Sequence, residues 1–194
     1  EGLKQALSKG ISQGSAALSQ VDGYYGNNAI KILFPPHVKK VEEKLRHIGL
    51  GKDVDKFILT VNHDAVDAAK EAGPMFVNAI NQMTFEDAWG ILKGDPDAAT
   101  QYLKRTTTPE LRAKFKPVVQ ASLKKVNATK YYSDIINTYN KIPFVTRVNP
   151  DLNEYATDAA IAGLFLTMAL EEKKIRDNPV ERTTDLLRKV FAYQ

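Results

Sequence analysis

The sequence predicts an all-α fold: a multi-helix bundle with at most one short β-ribbon. Three observations carry that prediction. Apolar residues recur at three- and four-residue steps over long stretches. Side-chain acceptors followed by proline or by a downstream acid stand ahead of several of those stretches, as helix starts require. No stretch alternates apolar and polar residues for long while being rich in branched or aromatic types, as a half-buried strand would.

Taken in order, Leu3, Leu7, Ile11, Ala17 and Leu18 outline an amphipathic helix that Gly10 and Gly14 weaken, so residues 1–26 read as a loosely packed N-terminal helix and linker. Gly10-Ile11-Ser12-Gln13-Gly14 also satisfies the nucleophile-elbow pattern, but that device needs a strand to lift the serine and none precedes it. Ile30 to Phe34, beside Pro35-Pro36, reads as an extended connector. Gly49 is expected to stop one helix, with Lys52 and Asp53 starting the next. A phosphate loop is excluded there, because it needs glycine where Arg46 stands and serine or threonine where Asp53 stands.

Val54, Phe57, Ile58, Val61, Ala65, Ala68, Ala69 and Ala72 form the next stripe, which Gly73-Pro74 is expected to end. Phe76, Val77, Ile80 and Met83 predict a second helix, and Thr84 with Asp87 resembles a capping box opening a third, which Gly94 stops. Asp95-Pro96, Thr108-Pro109 and Asn178-Pro179 each predict a helix start. Leu111, Phe115, Val118, Val119, Leu123 and Val126 form a further stripe, in which Pro117 predicts a bend or a split. Phe144 to Val148, before Asn149-Pro150, is the other candidate connector. From Tyr155 to Leu170 the pattern is apolar nearly all round, which predicts a buried central helix near 153–175. Within it, Ala159, Gly163 and Thr167 should let a neighbouring helix approach closely.

At 194 residues, with 43% hydrophobic and 26% charged content, the chain is expected to be one helical domain over residues 1–194. A chain of this length buries enough surface to fold without a metal or disulfides. The absence of cysteine excludes disulfides, thiolate metal sites and cysteine nucleophiles. The longest apolar run, Ala159 to Leu170, falls short of the roughly 20 residues a bilayer needs. The chain begins at Glu1 without a basic or apolar leader, so an export signal is expected to have been removed already or never to have been present.

His37, His47 and His63 have neither the i, i+4 spacing nor the HExxH pattern of a metal site, and no cofactor is expected. Asp64, Asp67 and Glu71 share a helix face with Lys70 interleaved, and read as solvated. Asn127-Ala128-Thr129 satisfies the N-glycosylation pattern and reads as a helix boundary. Charge is segregated along the chain: residues 51–100 hold nine acids against four bases, and residues 101–150 ten bases against two acids. A basic face is therefore expected from Lys104, Arg112, Lys114, Lys116, Lys124, Lys125 and Lys130. The overall charge of +4, and basic and aromatic residues that match no known module, argue against nucleic acid as a partner.

One polar pattern occurs twice: Arg105-Thr106-Thr107 and Arg182-Thr183-Thr184. Threonine hydroxyls and free amides at helix starts, with arginine adjacent, are what an anion site uses, so these six residues are the candidate ligand-binding positions. Ordinary capping, with the arginines paired to Glu171, Glu172 or Asp185, explains the same residues.

Several ordered blocks resemble one family. They are Ala29-Ile30-Lys31-Ile32 with Pro35-Pro36, Gly49-Leu50-Gly51, Met83-Thr84-Phe85-Glu86-Asp87-Ala88, Ala98-Ala99-Thr100-Gln101-Tyr102, Gly163-Leu164-Phe165 and Arg182-Thr183-Thr184-Asp185-Leu186-Leu187. The sequence resembles domain of unknown function 4197, a bacterial family, from Gly2 to Phe191. That resemblance implies a helical domain usually made with an export or lipoprotein signal, and hence a periplasmic or envelope-anchored location. It assigns no activity and no site residue. The resulting expectation is a non-enzymatic helical binding domain of the bacterial envelope, taking an amphiphilic or anionic small molecule, a lipid or an envelope protein. The alternatives are an enzyme built on Arg105, Arg182 and Glu171 or Glu172, or an oligomeric scaffold in which the basic helix docks on an acidic one.

Overall fold

The computed structural model describes residues 2–36, 39–125 and 147–177, together with residues 129, 132, 133, 136, 137, 140, 141, 143, 144 and 188. Among them the chain forms six α-helices and no strand. These are α1 (Gly2–Leu18), α2 (Lys39–Leu45), α3 (Gly51–Gln82), α4 (Phe85–Lys93), α5 (Ala98–Lys125) and α6 (Leu152–Asp177), with a π-turn over Arg46–Leu50 between α2 and α3. The all-α bundle predicted from periodicity is what forms.

The apolar stripe that begins at Val54 does not end at Gly73-Pro74. It continues through Pro74 to Gln82 as one helix, α3, which packs against α1, α5 and α6. An interior proline costs about 3 kcal/mol. Burial on both sides of it is larger: Val54, Phe57 and Val61 before it and Phe76 and Ile80 after it are almost wholly buried, at roughly 1.5–3 kcal/mol each. Small residues let α1 come close, and the Ser15 hydroxyl donates to the Ala69 carbonyl at 3.3 Å.

The same override occurs in α5. Thr108-Pro109 was expected to start a helix, and Pro117 to bend or split one; both prolines lie inside the continuous Ala98–Lys125 helix. Leu103, Leu111, Phe115, Val119 and Leu123 are buried along its length, which outweighs the amides lost at two prolines. Asp95-Pro96 does lead into a helix, with the Asp95 carbonyl accepting from the Ala98 amide at 3.0 Å where α5 begins. Asn178-Pro179 lies outside the described residues.

Two boundaries form as expected. Thr84 caps α4: its hydroxyl accepts from the Asp87 amide, and the Asp87 carboxylate accepts from the Thr84 amide, a complete capping box. Gly94 ends the helix. At the π-turn, Gly49 takes φ +89°, the left-handed region that only glycine enters at little cost.

Ile30 to Phe34 is not a strand, and of Phe144 to Val148 the described residues Phe144, Arg147 and Val148 are not in one either. Ile30 to Phe34 leaves a turn and passes α3, and the side chain of buried Asn62 supplies both bonds a neighbouring strand would have made: it accepts from the Ile32 amide at 2.9 Å and donates to the Ile32 carbonyl at 2.8 Å. Asn140 treats Val148 in the same way, at 2.8 and 2.7 Å.

α6 packs against α1, α3 and α5, with Leu152, Ala156, Ala160, Leu164 and Phe165 buried and Asp158, Ala162, Leu166 and Leu170 exposed along one side. The close approach expected from a helix at Gly163 is made instead by the segment after α1. A Cβ on Gly163 would lie 2.9 Å from the Tyr24 ring and 3.2 Å from Ile30. The Tyr24 hydroxyl donates to the Ala160 carbonyl at 2.9 Å, and burial pushes its ionisation well above the usual tyrosine range.

Candidate functional site

The glycines that weaken α1 as a helix make it useful as a wall. Gly10 and Gly14 are one turn apart, and with Leu7 and Ile11 they face Met168 and Ile175 of α6 and the first turn of α5. Between these elements lies a narrow apolar cleft of about 40 Å³. Gly14 is buried, yet a Cβ built on it would meet nothing within 4 Å, so the missing side chain is open space.

The polar end of the cleft is Glu172. One of its oxygens accepts from the Ala99 amide at 2.9 Å; the other accepts from the amide and the hydroxyl of Thr100, both at 2.8 Å. A carboxylate from α6 thus caps the N-terminus of α5, where the helix dipole favours negative charge. Arg176, one turn on, donates to the first of those oxygens through Nε at 3.0 Å and Nη2 at 2.8 Å, and Nη2 also reaches the Ile91 carbonyl near the end of α4 at 2.8 Å. Only 6% of the Arg176 side chain and 10% of that of Glu172 is exposed. The charges are satisfied internally, which leaves the cleft apolar along its walls and neutral at its end. Beside it, Glu171 is exposed to solvent on one side and pairs with Lys174 at 2.6 Å.

The residues singled out from sequence lie elsewhere. Arg105, Thr106 and Thr107 sit in the middle of α5, so the helix start expected there is not found and their amides are not helix-terminal. The Thr106 hydroxyl donates to the Tyr102 carbonyl at 2.9 Å and the Thr107 hydroxyl to the Leu103 carbonyl at 2.7 Å, the back-bonding open to threonine inside a helix. Arg105 is exposed, 3.8 Å from Asp87 and over the Tyr102 ring. Hydrogen bonds from the Thr84 amide and hydroxyl, assisted by Arg105, hold the Asp87 carboxyl below its usual range. Arg182, Thr183 and Thr184 lie outside the described residues, as do Asp185, Asn127, Lys130, His37 and the side chain of Lys125. Among the described residues, Glu172 pairs with Arg176 and not with Arg105.

Nor do the basic residues of α5 form one face. Lys104, Lys114, Lys116 and Lys124 are exposed. Lys114 and Lys116, two positions apart, point roughly 160° away from each other around the axis. Arg112 is bound to Asp158 and lies 3.7 Å from Glu154, both on α6. Asp64, read from sequence as solvated, is buried, while Asp67 and Glu71 are exposed. His63 is about half exposed and 3.3 Å from Asp22. Ser12, at the centre of the elbow-like motif, is helical and donates to the Ser8 carbonyl at 2.7 Å.

The sequence offered Glu172 only as a partner for Arg105 or Arg182; its pairing with Arg176, its capping of α5 and the glycine wall were missed. Two signals were present: Gly10 and Gly14 share a helix face with Leu7 and Ile11, and Glu172 and Arg176 have the i, i+4 spacing of an ion pair. No group of three His, Cys, Asp or Glu side chains able to hold a metal occurs among the described residues, and no described helix is long and apolar enough to cross a membrane.

A sequence profile described as "Protein of unknown function (DUF4197)" matches residues 1–192. No curated protein and no solved structure matches the chain.

Proposed function

Since the chain belongs to the DUF4197 family, whose description assigns no function, we propose from its geometry that it is a binding domain and not an enzyme, taking an apolar or amphiphilic molecule in the cleft between α1, α5 and α6. The observation that carries this reading is Gly14, a buried position whose absent side chain leaves open space in an apolar wall. Apolar sides with a few convergent polar groups are the usual lining of a small-molecule site. Its polar groups favour binding over chemistry. Both Glu172 oxygens accept from α5 or Arg176, and the Thr100 hydroxyl is donated to Glu172, so neither is poised to move a substrate proton. The ligand's apolar part would lie along Leu7, Ile11, Met168 and Ile175, with its polar end toward Thr100 and Glu171. Because no basic residue lines this cleft, an anionic headgroup is the poorer match.

The resemblance on which the family was first recognised supports a periplasmic or envelope-anchored location, and an envelope lipid is one source of such a molecule. The test is native mass spectrometry of protein recovered from a bacterial envelope fraction, followed by mild organic extraction. A retained apolar mass at one per chain, absent from a Gly14→Leu variant that keeps its helical circular dichroism, is the expected result. A clean apo mass for the unsubstituted chain, with no uptake of a fluorescent fatty acid, would overturn the reading.

A further inference from the structure

A groove runs between α1 and α3, apart from the α1–α5–α6 cleft and independent of that reading. Its space is about 640 Å³, within the usual range of ligand sites. One wall is the face of α1 that carries Ser12 and Ser19; the other runs from Lys70 to Asn81 of α3, roughly 16 Å along the helix axis. Buried Ser15 ties the two walls together, its hydroxyl donating to the Ala69 carbonyl at 3.3 Å.

The lining is polar and almost without charge. The Ser12 and Ser19 hydroxyls donate to the Ser8 and Ser15 carbonyls at 2.7 and 2.8 Å, so each presents its oxygen as an acceptor. Pro74 has no N–H to give the Lys70 carbonyl one turn earlier, a main-chain acceptor that a regular helix would have used. The Asn78 side-chain oxygen accepts from Gln82 at 3.3 Å, which leaves the Asn78 amide hydrogens as donors. Lys70, the one cation among the described lining residues, is taken by Asp67 at 2.6 Å.

These features select the occupant. A phosphate finds no uncompensated cation among the described lining residues, and an acyl chain finds Val77 as the only branched apolar side chain there. A partner helix would need apolar hollows for its large side chains, which this lining does not supply. Small surfaces at Ala16, Gly73 and Pro74, set between hydroxyls and carboxamides, match the C–H faces and hydroxyls of a sugar. An acetamido N–H would further supply a donor in place of the one that Pro74 lacks. We propose that the α1–α3 groove binds a neutral oligosaccharide carrying acetamido groups.

The experiment is titration of the isotopically labelled full chain with chitotriose and, separately, with maltotriose, which has hydroxyls without acetamido groups, followed by amide resonances. Saturable shifts should centre on residues 12–19 and 70–81. Chitotriose should bind about fivefold more tightly than maltotriose, the worth of one net hydrogen bond. Asn78→Ala, at an exposed position, should weaken chitotriose by about the same factor. Ala16→Phe, also exposed, should fill the groove and abolish the shifts on α3 while helical circular dichroism is kept. The exposed Trp89 ring of α4 is the rival platform for a sugar. Shifts centred there and lost in Trp89→Ala, equal binding of the two sugars, or no saturable shift in the groove would each overturn the inference. Groove shifts given by a glycine–serine peptide and not by chitotriose would overturn it in favour of an extended protein chain.

Discussion

Thr100 gives both its amide and its hydroxyl to the carboxylate of Glu172, a residue 72 positions further along the chain. This contact closes the N-terminus of α5 with a side chain from α6, and Arg176 extends it to the end of α4. Two helix ends and one end of the cleft therefore depend on a single buried ion pair carried by α6.

Removing one partner of that pair should be costly. Glu172→Ala leaves the Arg176 guanidinium buried and the first amides of α5 unsatisfied, a loss of about 3–5 kcal/mol. Chemical denaturation should show it, and Glu172→Gln, which keeps an acceptor for Thr100, should recover part of the loss. A Glu172→Ala midpoint equal to that of the unsubstituted chain would contradict this account.

Gly163 is fixed by the ring that lies on it. Gly163→Ala places a methyl 2.9 Å from the Tyr24 ring, whose hydroxyl is tied to Ala160 and cannot slide away freely. The expected loss is about 1–3 kcal/mol. In a Tyr24→Leu background the same substitution should cost clearly less, because the rigid neighbour is gone; a double-mutant cycle reads the coupling.

Gly14 should behave in the opposite way. Nothing stands within 4 Å of its Cβ position, so Gly14→Ala adds helix propensity without a clash. Thermal unfolding should move upward, by roughly 0.5–1 kcal/mol of stability.

Asn62 is buried and bonded to both main-chain groups of Ile32 and to the Ile58 carbonyl. Asn62→Leu strips the Ile32 amide of its partner and should destabilise by about 1–3 kcal/mol. Hydrogen exchange at that amide should accelerate more than at the amides of α6.

Alkali should weaken the fold above the ordinary tyrosine pKa of 10.0. Burial pushes Tyr132 up to about 12 and raises Tyr24 and Tyr155 as well. Below pH 10 these groups are protonated in both folded and unfolded chains, and their contribution is complete. Above it the unfolded chain releases protons that the folded chain retains, so stability falls as pH rises through about 12. Denaturant midpoints on either side of pH 10, with ultraviolet titration of phenolate, would check both the direction and the window.

Much of this architecture could be read from spacing. The capping box at Thr84 and Asp87, the stop at Gly94 and the break at Gly49 are local signals, and local chemistry decides them. Pro74, Pro109 and Pro117 misled because a local penalty was weighed without the burial on either side of it. The threonines at 106 and 107 misled for a related reason: hydroxyls suited to a helix start serve equally well bonded to the preceding turn. The cleft was hidden more deeply. Its wall is a pair of missing side chains and its polar end joins residues 72 apart, so neither becomes a site until α1 and α6 are adjacent.

The Asn62–Ile32 arrangement also bears on how the chain behaves in a crowd. Ile30 to Phe34 is the kind of short apolar, branched segment that templates cross-β fibrils when its edge is open. Here the amides of Ile30 and Lys31 go to the Asn27 carbonyl, both main-chain groups of Ile32 go to Asn62, and the Leu33 carbonyl accepts from the Tyr155 hydroxyl. Five of the segment's ten main-chain groups are thus engaged inside its own molecule, and a second chain meets an interrupted row on which to add a strand.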